Sequence, residues 1–146
     1  VFFRIKMKFA GFSFNKISIE RFSSISEKIK VNTKIDISKI DKFNSPSFDK
    51  DLLNIDFSYI LDYAPNFANL EFKGSVLFYA EPEEIKDILK DWKNKKISDE
   101  FQTLVFNIIL KKTNVKALEL EDELNLPFHI AMPSLKKKEE KEEKED

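Results

Sequence analysis

Between Leu53 and Tyr63 six apolar side chains, Leu53, Ile55, Phe57, Tyr59, Leu61 and Tyr63, alternate with Asn54, Asp56, Ser58 and Asp62. Side chains two residues apart share one face of a strand, so the segment needs one dry face and one wet face. A slip of a single residue in register would turn the whole apolar set into water. This pattern is that of a half-buried antiparallel strand. Two neighbours in the chain repeat it. Ile29, Val31, Thr33, Ile35 and Ile37 alternate with Lys30, Asn32, Lys34, Asp36 and Ser38, and Leu70, Phe72, Gly74, Val76 and Phe78 follow a turn at Ala64-Pro65-Asn66-Phe67-Ala68-Asn69. A loop with Asn44, Ser45, Pro46 and Ser47 separates the first of these runs from the Leu53 run. Links this short favour antiparallel neighbours.

The first apolar run changes parity twice. Phe3, Ile5, Met7 and Phe9 share one face, Phe12 and Phe14 take the other, and Ile17 and Ile19 switch back. Gly11 lies at the first switch and is one of only two glycines, the other being Gly74. A glycine inside a strand often marks a bulge or a close approach of backbone. One long bent strand or two short ones are expected here.

The fourth run carries Leu77 and Tyr79 on its second face, so something should cover its C-terminal half. Pro82, Glu83 and Glu84 open a helix whose Ile85, Ile88, Leu89 and Trp92 form one stripe. Ser98, Asp99 and Glu100 start a second helix. Its residues Phe101, Leu104, Val105, Phe106, Ile108, Ile109 and Leu110 run nearly all the way round. A helix apolar on every side is expected to be buried on every side. Self-association follows, with Phe101, Leu104, Val105, Phe106, Ile108 and Ile109 at the oligomer interface. The helix either breaks at Asn114 or runs through the acidic stretch from Leu118 to Leu124. Beyond it Pro127 and Pro133 favour an extended path. The pattern predicts an α+β fold, a four-stranded antiparallel sheet packed with C-terminal helices, in a single domain over residues 1–135. Residues 136–146, all Lys, Glu and Asp, are expected to be a charged tail in solvent, either disordered or a fully exposed helix.

Composition narrows the chemistry. The chain has 42% hydrophobic residues, 15 of them Phe, in 146 residues, enough for one core burying roughly 70% of the unfolded surface. Of 25 basic and 26 acidic residues the tail holds five and six, leaving 20 of each. No net field for nucleic acid or an anionic membrane arises. Without Cys there is no disulfide, thiolate or Cys-based metal site. The N-terminal residues alternate apolar and basic instead of reading as a signal peptide. The longest apolar stretch, Leu104 to Leu110, is far short of the ~20 residues that span a bilayer. Cytoplasmic placement is expected. His129 is the single histidine and cannot build a His/Cys metal cluster, so a structural role is expected for it. Glu119, Glu121, Asp122 and Glu123 read as a solvated helical face. Neither a phosphate loop, a nucleophile elbow nor an EF-hand spacing occurs. No enzyme, metal or cofactor is expected.

Several strings, in order, resemble the SecB family of protein-export chaperones. Asn15-Lys16-Ile17-Ser18-Ile19-Glu20 stands where that family has Lys-Asp-Ile-Ser-Phe-Glu. Asn32-Thr33-Lys34-Ile35-Asp36-Ile37 is similar to its Val-Lys-Leu-Asp-Leu stretch, and Glu71-Phe72 and Leu77-Phe78 fall where it has Glu-Val and Ile-Phe. Pro127 and Pro133, with Phe128, Ile130, Ala131 and Met132 between them, match its pair of prolines six apart. The resemblance spans about residues 3–135. Two features depart from it: the stretch from Glu83 to Lys96 is longer, and the charged tail replaces a C-terminal helix. Lys16 also stands where the family has an Asp used with the counterpart of Glu20 to dock the SecA motor, a reversal that argues against SecA docking.

The resemblance implies an ATP-independent holdase for unfolded polypeptides, assembled as a homo-oligomer, a tetramer built as a dimer of dimers. It implies a groove between the sheet, the link after the first strand and the C-terminal segment. Phe22, Ile25, Phe72, Phe78, Tyr79, Phe128, Ile130 and Met132 are its expected peptide-binding residues. Aromatic rings offer contact area with few rotatable bonds, and a client can add hydrogen bonds at a sheet edge. Phe43, Phe48 and Phe67 also fall in polar links. Three other functions fit the same residues. One is a lipid or small hydrophobic ligand carrier with a cavity among the Phe rings, the second a structural subunit with one fixed partner, and the third a chaperone dedicated to an antitoxin.

Overall fold

The computed structural model describes residues 7–23, 28–44 and 51–135. Four strands, β1 (Lys8–Arg21), β2 (Lys30–Phe43), β3 (Leu52–Ala64) and β4 (Ala68–Tyr79), precede two helices, α1 (Pro82–Lys93) and α2 (Asp99–Glu123). The strands form one antiparallel sheet in the order β1-β4-β3-β2. The α+β architecture and its four strands agree with the alternation in the sequence.

Strands β3 and β4 are central, and their alternation is strict. Leu53, Ile55, Phe57, Tyr59, Leu61 and Tyr63 are fully buried opposite Phe78, Val76, Gly74, Phe72, Leu70 and Ala68. Each large apolar side chain so buried contributes about 1.5–3 kcal/mol. The edge strands reach the same face by bulging. In β1 the register shifts between Phe9 and Gly11 and again between Phe14 and Lys16. Each shift absorbs one residue, so Phe9, Phe12, Phe14, Ile17 and Ile19 pair with Phe78, Val76, Gly74, Phe72 and Leu70 on a single face. The parity changes in the sequence are two bulges in one strand. Strand β2 does the same between Ile37 and Lys39, which brings Ile40 into the core opposite Ile55 and carries the strand on to Phe43.

Gly74 is needed at the centre of this face. A Cβ there would run into the Ser13 carbonyl oxygen and lie 2.7 Å from Cζ of Phe57. The Phe57 ring occupies that space and stacks on Phe12, with centroids 5.4 Å apart. Tyr59 stacks on Phe72 beside it.

Helix α2 is one unbroken helix of 25 residues through Asn114. The Ser98 hydroxyl accepts from the Phe101 N–H at 3.2 Å, the expected N-cap. Phe101, Val105, Ile109, Thr113, Ala117 and Glu121 are its buried residues. An every-fourth line drifts about 40° per step around a 3.6-residue helix, so the buried line winds round α2. This corrects the expectation of an oligomer interface for three residues. Phe101, Val105 and Ile109 are covered by their own chain. Leu104, Phe106, Ile108 and Leu110 are half-buried against the same core.

The absence of room at Gly74 gives a direct test. Gly74→Ala is expected to cost about 1–3 kcal/mol, the usual penalty of overpacking. A lower urea midpoint with an unchanged slope would show it; an unchanged midpoint would contradict the packing.

Candidate functional site

The groove lies at one end of the sheet, where β1 ends, β2 begins, β3 turns into β4 and α2 stops. How α2 stops is decided locally. Asn125 takes a positive φ of 53°, Leu126 N–H donates to the Glu121 carbonyl at 2.8 Å, and Asn125 N–H donates to the Asp122 carbonyl. These two bonds with a left-handed residue form a Schellman motif, and Pro127 prevents the helix from resuming. Leu126 turns into the core.

No basic residue occupies the last turn of α2. Arg21, arriving on β1, supplies the positive charge instead. Its Nη1 donates to the Leu124 carbonyl at 2.9 Å and its Nε donates to the Ser23 carbonyl. A cation at a helix C-terminus is favourable against the helix dipole. The same guanidinium lies 5.0 Å from the Phe67 ring centroid. Phe22 N–H donates to the Phe67 carbonyl at 2.8 Å, which ties the link after β1 to the β3–β4 turn.

Together these contacts leave an open groove of about 610 Å³. Ile29, Phe67, Leu126, Pro127 and Phe128 supply its apolar lining, and Arg21, Glu121, Asp122 and Asn125 its polar part. Phe22 and Phe128 stand 49% and 43% exposed, and Ile130 and Met132 are exposed further along the proline-flanked segment.

Not all expected lining residues are here. Phe72 and Phe78 are buried in the core under the helices, because β4 is a central strand, and they do not face the groove. Tyr79 is half-buried at the far end of β4. Ile25 and Phe48 lie outside the described residues. Phe43 is exposed at the end of β2, away from the groove. Ile29 and Phe67 line the groove and Arg21 shapes it; Phe67 had shown only its place in a polar link, and nothing in the sequence marks Arg21.

Glu121 corrects the sequence reading most sharply. It was expected on a solvated face and is fully buried, because it continues the inner line of α2. Its carboxylate accepts from the Tyr63 hydroxyl, from His129 N–H at 3.0 Å, and lies 2.8 Å from His129 Nδ1. His129 Nε2 lies 3.0 Å from Asn114 Oδ1, which also accepts from the Tyr59 hydroxyl. Buried polar atoms this well partnered are tolerated where an unpartnered one is costly. Burial pushes the Tyr59 phenol up to about 12, and the Glu121 charge adds to it. Burial, then the hydrogen bond and charge of Glu121, push Tyr63 up still further. On the outer face of the sheet Lys16 pairs with Glu71, which lowers the Glu71 carboxyl below its usual value. Among the described residues no group of three or more His, Cys, Asp or Glu could hold a metal ion, and no helix is long and apolar enough to cross a membrane.

No family model and no curated protein matches the chain. Among solved structures it is similar to the SecB-like chaperone Rv1957 of Mycobacterium tuberculosis, solved in complex with a ChAD peptide from the HigA1 antitoxin Rv1956. The TM-score is 0.51 at 10% identity, covering 90% of this chain and 91% of that one. A protein of unknown function from Streptococcus agalactiae matches with a TM-score of 0.41 at 10% identity, covering 90% of this chain and 99% of that one. The chain has a SecB-like fold.

The tyrosines predict an alkaline limit. An unfolded tyrosine ionises near 10, while folded Tyr59 holds its proton to about 12. Above pH 10 the unfolded chain therefore binds fewer protons than the folded one, and stability falls as pH rises. Urea midpoints are expected to decline above pH 10, and less steeply in Tyr59→Phe. Parallel declines in the two proteins would show that Tyr59 is not responsible.

Proposed function

We propose that the protein is an ATP-independent holdase that binds extended, apolar segments of non-native polypeptides in the groove between Phe67, Leu126 and Phe128. The observation that carries this reading is an open groove with an apolar wall and a polar rim at the end of a SecB-like sheet, with Phe22, Phe128, Ile130 and Met132 exposed near it. A holdase must bind many sequences reversibly. Aromatic surface gives contact without directional demands, and a sheet edge offers main-chain partners. Such binding requires no reaction centre, and the reading assigns none. Export clients in the cytoplasm belong to this reading. Lys16, engaged with Glu71 where the SecB family has an acid, speaks against delivery to SecA.

A dedicated partner is the second reading. The similar mycobacterial chaperone holds a peptide from an antitoxin, and the same groove here suits one fixed segment equally well. A lipid carrier is less well supported. The interior rings that would have to part around a cavity, Phe12, Phe57, Tyr59 and Phe72, are stacked in pairs.

We place self-association on the seam between β1 and α2, not on the buried line of α2. Phe9 and Ile17 on edge strand β1 and Val115 on α2 are exposed, and an uncovered edge strand invites pairing with another chain.

Two measurements test these assignments. Wild-type protein is expected to bind a reduced, alkylated unfolded protein at micromolar concentration, with Phe22→Ala and Phe128→Ala each weakening it about tenfold, as for a burial-dominated anchor. Failure of the wild type to bind any unfolded client removes the holdase reading, and capture of one stoichiometric partner favours the dedicated one. Sedimentation is expected to show oligomers that Ile17→Lys or Val115→Lys dissociates. A monomeric wild type at tens of micromolar rejects the assembly.

A further inference from the structure

Residues 128–130 alternate in burial. The His129 side chain is 4% exposed, while Phe128 and Ile130 on either side of it stand in solvent. The chain bends at His129 and Ile130, and with the His129 side chain turned inward Phe128 and Ile130 are left outward. Two residues of α2 hold His129: Asn114 at Nε2, and Glu121 at two further points. The His129 backbone N–H donates to Glu121 Oε2 and its Nδ1 lies against Glu121 Oε1. A carboxylate oxygen can only accept, so in the contact at Nδ1 the ring is the donor. One carboxylate thus grips one residue at two points, and the Tyr63 hydroxyl on β3 donates to the same carboxylate from the sheet side. The remaining groups around the pair are Asn114 on α2 and Tyr59 on β3, while Arg21 of β1 is occupied at the Leu124 carbonyl.

We propose that Glu121 and His129 form a clasp that positions Phe128 as one wall of the client groove, with exposed Ile130 continuing beyond it. The clasp rests on the holdase reading for its purpose, though not for its existence. Glu121 and His129 are positioning residues: their side chains are 0% and 4% exposed, although Glu121 lies at the groove. The described residues beyond the Schellman motif belong to no strand or helix, so their path over α2 depends on side-chain contacts, chiefly the Glu121 carboxylate with Asn114 beside it. A wall fixed before the client arrives spares the ordering cost at binding.

The test compares His129→Leu, which keeps apolar volume and loses the donor, with His129→Asn, whose amide nitrogen can stand where Nδ1 stands. In the full chain, amide exchange over residues 128–132 is expected to rise about tenfold in H129L and stay near wild type in H129N, the scale of one charge-assisted hydrogen bond. Affinity for reduced, alkylated lysozyme should fall severalfold in H129L and be retained in H129N. Equal behaviour of the two variants, or unchanged exchange in H129L, overturns the clasp. If H129L does not fold, Tyr63→Phe withdraws one donor from the same carboxylate; faster exchange confined to 128–132 supports the proposal, and unchanged exchange overturns it. A wild type that binds no unfolded client defeats the holdase reading, and the exchange comparison still decides the clasp.

Discussion

One face of the sheet has to be dry without interruption across four strands, and the other features follow from meeting that demand. The inner pair, β3 and β4, meets it by strict alternation and by a glycine where the Phe57 ring needs room. The edge strands meet it by bulging. Two extra residues in β1 and one in β2 restore the inward facing of side chains that simple alternation would have sent outward. Bulges also bend and twist the strands that carry them. Both edges of the sheet are therefore irregular, while its centre is not.

A continuous dry face needs a cover, and α2 provides much of it with a line of residues four apart. Where that line reaches its end, the inward position belongs to Glu121, a charge in place of an apolar group. Burying a lone carboxylate would cost several kcal/mol at least, of order the penalty for an unpaired ion. Tyr63 below and His129 beyond the helix offset it with donors. The polar end of α2 thus ties the sheet to the C-terminal segment. Arg21, set against the last carbonyls of the helix and the Phe67 ring, ties the first strand to the same place. Two charges that belong to distant parts of the sequence gather four elements around one groove.

Much of this frame was legible in the residues. Alternation located β3 and β4, Pro82 and Ser98 located both helix starts, and the prolines at 127 and 133 marked a segment outside any helix, which bends at His129 and Ile130. The parity switches at Gly11 and after Phe14 were visible as well, although alternation alone allows either a bulge or a break. The groove was less legible. Phe72 and Phe78 read as candidates for it because a sequence does not say which strands are central. Phe22 and Phe128 are exposed beside or within it, and Ile130 and Met132 lie exposed further on.

The sequence by itself determined the strand periods, the glycine-poor sheet, the helix caps and the neutral balance of charge, because these depend on neighbours a few residues apart. Tertiary structure alone decided that Glu121 is buried, that α2 is covered along a winding line, and that Arg21 caps a helix more than a hundred residues away. Each of these depends on what the chain brings back to a position from afar. A glutamate in an acidic run looks solvated until the fold sets Tyr63 and His129 against it.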